Sequence, residues 1–358
     1  MKSGVEDEFL EVLYNVVHLL NRLGGNLTLQ INPLPASSIR HFTVSYLRWV
    51  CGKSVNLLTI IKIGHIHIAR AIFLLGLIIC FTTANAASPS YIEGINIRAD
   101  AGFMADDNVT RAKNSADKLS DQSYSANLSL PYIFALGTHF RALTNGFLGG
   151  EKFVHYDGLS RVSAGVQGEL QYRHSAAFFA PIFALSGRAL TEQYQSKLRD
   201  SSRYSIGVSM RQPVTDRIQL FGALTHHQRD AYSKVFTIAE KAARLNLDYL
   251  LSPQGTIYMT GEYRVGDIVS TGQPTLELIS SADVFAPDDA FTDSQLTTYR
   301  LDGSTVLTTL GYNHGFSPNH ALDFSWRRIE STPGQKKNYS TSSGYVVNQF
   351  SLVYLMSF

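Results

Sequence analysis

From Tyr345 to Phe358 the chain reads YVVNQFSLVYLMSF. Phe350, Leu352, Tyr354, Met356 and Phe358 occupy every second position, and all five are apolar. Residues two apart in an extended strand point to the same face. The chain therefore ends in a strand with one continuous apolar, aromatic-rich face running to its final residue. The edge strand of a soluble sheet shows the same alternation, so the rest of the sequence must decide what that face meets.

The alternation recurs upstream. Val162, Ala164, Val166, Gly168, Leu170 and Tyr172 share one face, and Ser163, Gly165, Gln167, Glu169, Gln171 and Arg173 share the other. Tyr124, Ala126, Leu128 and Leu130 repeat the pattern, as do Tyr204, Ile206, Val208 and Met210, and Ala243, Leu245, Leu247, Tyr249 and Leu251. The periodicity predicts twelve strands, at 92–103, 122–134, 138–150, 160–174, 177–193, 202–213, 217–230, 237–251, 256–270, 296–313, 320–330 and 344–358. Their connections alternate in length. Short, turn-rich ones fall at Leu136-Gly137, Ser175-Ala176, Thr215-Asp216, Ser252–Gly255 and Ser317–Asn319. Long polar ones fall at 104–121, 271–295 and 331–343, with shorter loops near 151–159, 194–201 and 231–236.

The N-terminal region carries a destination signal. Lys62, His65, His67 and Arg70 precede the apolar run AIFLLGLIICF, Ala71 to Phe81, and Ala84-Asn85-Ala86 follows. This is the order of basic region, apolar region and small-residue cleavage site of a secretory signal. The run of 11 residues is well short of the roughly 20 that a spanning helix needs. Residues 62–86 are thus read as a signal peptide cleaved between Ala86 and Ala87. Residues 1–61 are read as an N-terminal extension, either a mis-assigned start or a leader, and 87–358 as the mature domain. Removing residues 1–86 takes away both cysteines, Cys51 and Cys80. It also turns the net charge from +2 to −1, with 24 Lys and Arg against 25 Asp and Glu remaining. The excess of positive charge belongs to the leader and is no footprint for nucleic acid. Disulfides and thiolate metal sites are excluded from the mature part.

The C-terminal stripe ending on Phe358 resembles the closing strand of bacterial outer-membrane β-barrel proteins of the porin-like class. The resemblance implies an all-β fold: a transmembrane antiparallel up-and-down barrel of about twelve strands in the cell outer membrane. It implies short periplasmic turns, longer external loops and an apolar-out, polar-in dyad. It also implies that Phe350, Leu352, Tyr354, Met356 and Phe358 form an assembly signal read by the barrel-assembly machinery. Outer-membrane lipid and periplasmic chaperones are the other partners it implies, with the oligomeric state left open. Aromatic residues near strand ends would then form two interfacial girdles: Tyr132, Phe134, Phe140, Tyr172, Phe179, Phe324 and Phe358 on the short-turn side, Phe103, Tyr124, Tyr204 and Tyr263 on the loop side.

In such a barrel the polar face looks inward. Arg98, Arg141, Arg173, Arg188, Arg203, Arg211, Arg244, Arg264, Arg300 and Arg327 are expected there, with Asp100, Glu169, Glu192, Asp248, Glu262, Asp302 and Asp323. Charges out of water are costly unless paired, so these residues either line a hydrated channel for small polar or anionic solutes or fill the interior with ion pairs. Twelve strands fall between the filled eight-stranded and the open sixteen-stranded barrels. Two other classes stay open. One is a non-conducting structural, adhesive or export-associated barrel acting through its loops. The other is an outer-membrane hydrolase. His226-His227 is the one paired histidine, but successive strand residues face opposite sides, so at most one can reach a lumen site. No nucleophile–base–orienter set is apparent, and no catalytic residue, cofactor or metal is expected. Asp106-Asp107-Asn108 in the polar loop 104–121 is read as solvated, since no glycine turn and distal Glu follow at calcium-loop spacing.

Overall fold

A computed structural model describes residues 97–334 and 344–358. The signal peptide, the cleavage residues Ala84, Ala86 and Ala87, the extension 1–61 and most of the loop 331–343 lie outside the described residues.

Twelve strands form a closed antiparallel barrel. They are β1 (Arg98–Asp106), β2 (Asp121–Ala135), β3 (Phe140–Phe153), β4 (Arg161–Arg173), β5 (Ile182–Tyr194), β6 (Ser201–Pro213), β7 (Ile218–Ala231), β8 (Ile238–Ser252), β9 (Gly255–Gly272), β11 (Thr297–Ser317), β12 (His320–Pro333) and β13 (Tyr345–Ser357). Each pairs with the next, and β13 closes on β1 in the register Ala101↔Tyr354 and Phe103↔Leu352. The terminal strand thus removes the last sheet edge, and its final residue takes part: the Phe358 N–H donates to the Ile97 carbonyl at 2.8 Å. A thirteenth, four-residue strand, β10 (Val284–Pro287), pairs with the start of β11 outside the ring.

The alternation decides the two faces. Leu128, Leu148, Val162, Ile206, Leu224, Leu245, Met259, Leu310 and Leu352 all stand exposed on the outside, Leu224 at 62% of its surface. Water-soluble proteins rarely leave so continuous an apolar surface uncovered; in hydrocarbon it is the favoured arrangement. Each wall strand is meanwhile paired with a neighbour on both sides, which a bilayer requires. Among the described residues no helix is long and apolar enough to cross a membrane. Aromatic rings gather at strand ends. Tyr132–Phe134 (4.3 Å between centroids) and Phe140–Tyr172 (5.0 Å) lie near the short turns, and Phe103–Tyr124 (5.5 Å) lies near the loops.

The connections alternate as expected, with local differences. β1 begins at Arg98 and runs on to Asp106, because Met104–Asp106 still pair with both β2 and β13. β5 starts at Ile182 rather than 177. The Ala180 N–H closes a turn on the Ala177 carbonyl, which places Phe178 and Phe179 in the turn, and Pro181 next to it has no N–H to give a ladder. In the β2–β3 turn Gly137 has φ of +127°, a conformation that only glycine adopts cheaply. The largest difference is in two of the long loops, 107–120 and 273–296, which are folded rather than solvated. Residues 273–296 contain helix α1 (Leu276–Ser281), strand β10 and a 3₁₀ segment, Asp289–Ser294. Loop 107–120 and the three shorter loops each carry one 3₁₀ turn.

Candidate functional site

β9 and β11 outrun their neighbours. β8 meets β9 no further than Gly266, and β12 meets β11 no further than Gly303. The ribbon above, 266–272 with 297–303, continues as a β-hairpin and gains β10 at its edge. One face of the ribbon is held by loop 107–120: Ser270 Oγ donates to the Arg111 carbonyl at 2.8 Å, and the Thr271 N–H donates to the Thr110 carbonyl at 2.9 Å. At the other, Thr271 and Thr298 hydroxyls bond each other and Asp288.

From this ribbon the connection 273–296 reaches across the barrel mouth. Phe291, Ala290 and Leu296 form a buried apolar cluster with Val109, Leu159 and Phe153, the last residue of β3. β3 lies six strands from β9 in either direction round the ring of twelve, so this cluster spans the full diameter. Tyr156 packs edge-on against Phe291 at 5.2 Å. Asp288 is the polar centre of this cap. Its side chain is fully buried and accepts from Arg199 Nη2 at 2.5 Å, Thr298 Oγ1 at 2.5 Å, Thr271 Oγ1 at 3.3 Å and the Ala290 N–H at 3.1 Å. Arg199 in turn lies over the Phe236 ring at 4.2 Å, and Ser196 bonds Asp289. Loops from five hairpins therefore close over one end of the barrel.

Beneath the cap is a cavity of about 470 Å³, lined from nearly every side of the ring. Two clusters of charge on the wall reach this cavity through Glu151, Arg161, Glu240 and Arg264. In the first, Glu192 is shared by Arg161 at 2.7 Å and Arg203 at 2.6 Å, and Arg161 also pairs with Glu151 at 3.0 Å. Tyr194 lies between the guanidinium groups of Arg161 and Arg229, at 5.7 and 5.4 Å. In the second, Glu262 is shared by Arg244 and Arg264, and Arg264 also pairs with Glu240 at 3.0 Å. Carboxylates shared between two cations are held against the cost of leaving bulk water.

Strand register places fourteen of the seventeen charged residues expected to line the lumen on the inner side: Arg98, Asp100, Arg141, Glu169, Arg173, Arg188, Arg203, Arg211, Arg244, Asp248, Glu262, Arg264, Asp323 and Arg327. Glu192 is there too. They are not gathered at one level. Asp100 accepts from Asn127, Asp248 from Asn246, and Asp323 from Tyr258 Oη at 2.9 Å, apart from the two clusters. Arg188 lies flat over Phe147 at 4.4 Å. That ring has room because Gly165 beside it has no side chain: a Cβ there would come within 2.6 Å of Phe147.

The remaining two, Arg300 and Asp302, are corrected. They sit on the ribbon above the wall, where Arg300 Nη1 donates to the Lys234 and Thr237 carbonyls at 2.9 and 2.7 Å and so ties down loop 232–237. Asp106-Asp107-Asn108 is not a solvated run either. Asp106 pairs with Arg111 at 2.8 Å and accepts from Gln349, Asp107 accepts from Asn348, and Asn108 is buried. The histidine pair divides, since Ser205↔His227 and Ile206↔His226 put His227 inside and His226 outside. Arg161, Arg229, Glu151 and Glu240 were not singled out from the sequence. Their alternation within β3, β4, β7 and β8 places them on the inner side, and extending the pattern to strand ends would have found them.

On the outside, Phe350, Leu352, Tyr354 and Met356 alternate along β13 in line with Phe324 and Trp326 of β12. The fold is that of an outer-membrane β-barrel. No family model matches the chain, and no curated protein matches it. Among solved structures, an outer-membrane channel from Pseudomonas putida F1 is similar over 76% of this chain and 99% of its own, with 12% identity and a TM-score of 0.47. The transport unit of the autotransporter AIDA-I from Escherichia coli covers 76% and 93% at 9% identity and a TM-score of 0.39. A KdgM porin in complex with disordered oligogalacturonate covers 73% and 99% at 13% identity and a TM-score of 0.36.

Proposed function

We propose that the chain is an integral outer-membrane channel that passes small polar or anionic solutes through a charged, hydrated lumen. One observation carries the reading. Arg98, Arg141, Arg188, Arg211, Arg244 and Arg327 are on the inner side of the wall, yet remain open to solvent. A barrel filled by side chains would bury them and would need a carboxylate for each. Of these six, Arg244 alone has a carboxylate within salt-bridge distance among the described residues. The interior thus offers cationic groups to water, the arrangement by which rings of charge select anions. The cap fits a channel whose external mouth is closed in this conformation.

The same proposal includes processing at Ala84-Asn85-Ala86, a mature N-terminus at Ala87, and insertion by the barrel-assembly machinery after chaperone escort, with Phe358 and its stripe as the signal. The folded cap favours a second reading, in which the barrel is an anchor and the connection 273–296 with loop 107–120 is a binding surface. Liposome swelling separates the two. Purified chain in liposomes should admit small organic anions faster than cations of equal size. Liposomes that stay impermeable to both would leave the anchor.

A further inference from the structure

The chamber beneath the cap holds more guanidinium groups than its carboxylates use. Asp106 is committed to Arg111 and Gln349, Glu151 to Arg161 and Ser123, Glu240 to Arg264, and Asp267 to the Ala239 N–H and Arg300. Arg161 and Arg264 are committed in return. Two arginines on the chamber wall have no carboxylate partner among the described residues. Arg229 donates through Nε to Ser201 Oγ at 3.0 Å and through Nη2 to the Arg199 carbonyl at 2.9 Å, which leaves Nη1. Arg327 makes a single long contact, Nε to Thr309 Oγ1 at 3.4 Å, which leaves both terminal nitrogens. Both line the 470 Å³ cavity. They belong to β7 and β12, four strands apart round the ring, so they approach it from different sides.

An occupant that matches these groups carries two oxyanions at its ends. A single carboxylate satisfies one arginine and leaves the other hydrated. A positive group meets no carboxylate that is not already bonded. Arginine's planar fork suits carboxylate oxygens in particular. The space holds about fifteen waters at roughly 30 Å³ each, enough for a short organic dianion with its hydration partly retained. We infer that this chamber is a binding site for a small organic dianion, of which a dicarboxylate is the simplest form, bridged between Arg229 and Arg327. The inference rests on the channel reading for how the ligand arrives, but binding itself does not require passage.

The test is isothermal titration of disodium glutarate and sodium butyrate into the full chain folded in detergent, with bilayer current recorded on the same preparation. Glutarate should bind about tenfold or more tightly than butyrate, and Arg229→Gln or Arg327→Gln should each erase most of that difference. Arg327→Lys, which keeps the charge and loses the fork, should fall between. Arg217→Gln, in the exposed β6–β7 turn, should bind glutarate as the unaltered chain does. Retention of the unboiled, fast-migrating gel band confirms that each variant is folded. Equal binding of glutarate and butyrate, or unchanged glutarate binding in both glutamine variants, overturns the site. Dianion binding without any current keeps the site and overturns transport; current without dianion preference does the reverse.

Discussion

Asp288→Ala should open the cap while leaving the barrel intact. The replaced carboxylate is fully buried and accepts four hydrogen bonds, one of them from Arg199, whose side chain is only 13% exposed. Removing one partner of a buried pair costs on the order of 3–5 kcal/mol, because the other charge is left without compensation. Since each 1.4 kcal/mol is a factor of ten, the lower end raises the undocked population of 273–296 by roughly a hundredfold. None of that cost falls on the strand ladders, so the unboiled gel mobility should not change. Limited proteolysis under conditions where cleavage is slow compared with reclosing reports the open population directly. Cleavage within 273–296 should accelerate by about two orders of magnitude in Asp288→Ala. Leu276→Ala, which alters a side chain that is 87% exposed, should leave the rate unchanged. Equal cleavage of Asp288→Ala and the unaltered chain would refute the argument that the Asp288 network holds the cap.

Three further outcomes follow from the wall and its ends. Glu262→Gln removes the carboxylate shared by Arg244 and Arg264 and should move the reversal potential in a salt gradient toward anions, whereas Arg244→Ala should move it toward cations; shifts of the same sign in both would contradict a charge-lined lumen. Deleting Phe358, or replacing Tyr354 and Phe358 with Asp, should sharply lower the inserted amount on immunoblots of outer-membrane fractions, because charge facing lipid is penalised by up to a few kcal/mol with depth; unchanged levels would contradict it. Sequencing the N-terminus of the membrane-extracted chain should start at Ala87, and peptides from 1–61 in that material would overturn the assigned cleavage.

The barrel was legible in the sequence because each wall residue answers to two media at once. Leu128 against Asn127, or Val208 against Ser209, records an apolar medium on one side and water on the other, repeated from strand to strand around the ring. Closure was legible from Phe350 to Phe358 once that face was set against lipid, where no strand edge can stay unpaired. The cap was not, because its contacts join residues far apart in the chain. Nothing local to Asp288 announces Arg199 or Thr271, and nothing local to Phe153 announces Phe291. Arg300 and Asp302 were misplaced first because they share the parity of the outward-facing Val306 and Leu310 on β11, so the alternation itself sets them off the inner side. Second, alternation continues along β11 past Gly303, but the wall does not, since β12 stops pairing there. A strand's pattern gives its faces and says little about where its neighbours end. The pairing inside the lumen was likewise hidden: the inner position of Glu192 and Glu262 could be read, but their sharing between two arginines each depends on cross-strand register.

The most direct measurement is the current through the purified full chain in a planar bilayer under a potassium chloride gradient. The account predicts discrete conductance steps with a reversal potential on the anion side, and a higher open fraction for Asp288→Ala than for the unaltered chain. A folded, heat-modifiable barrel that carries no current, with Asp288→Ala equally silent, would contradict the channel.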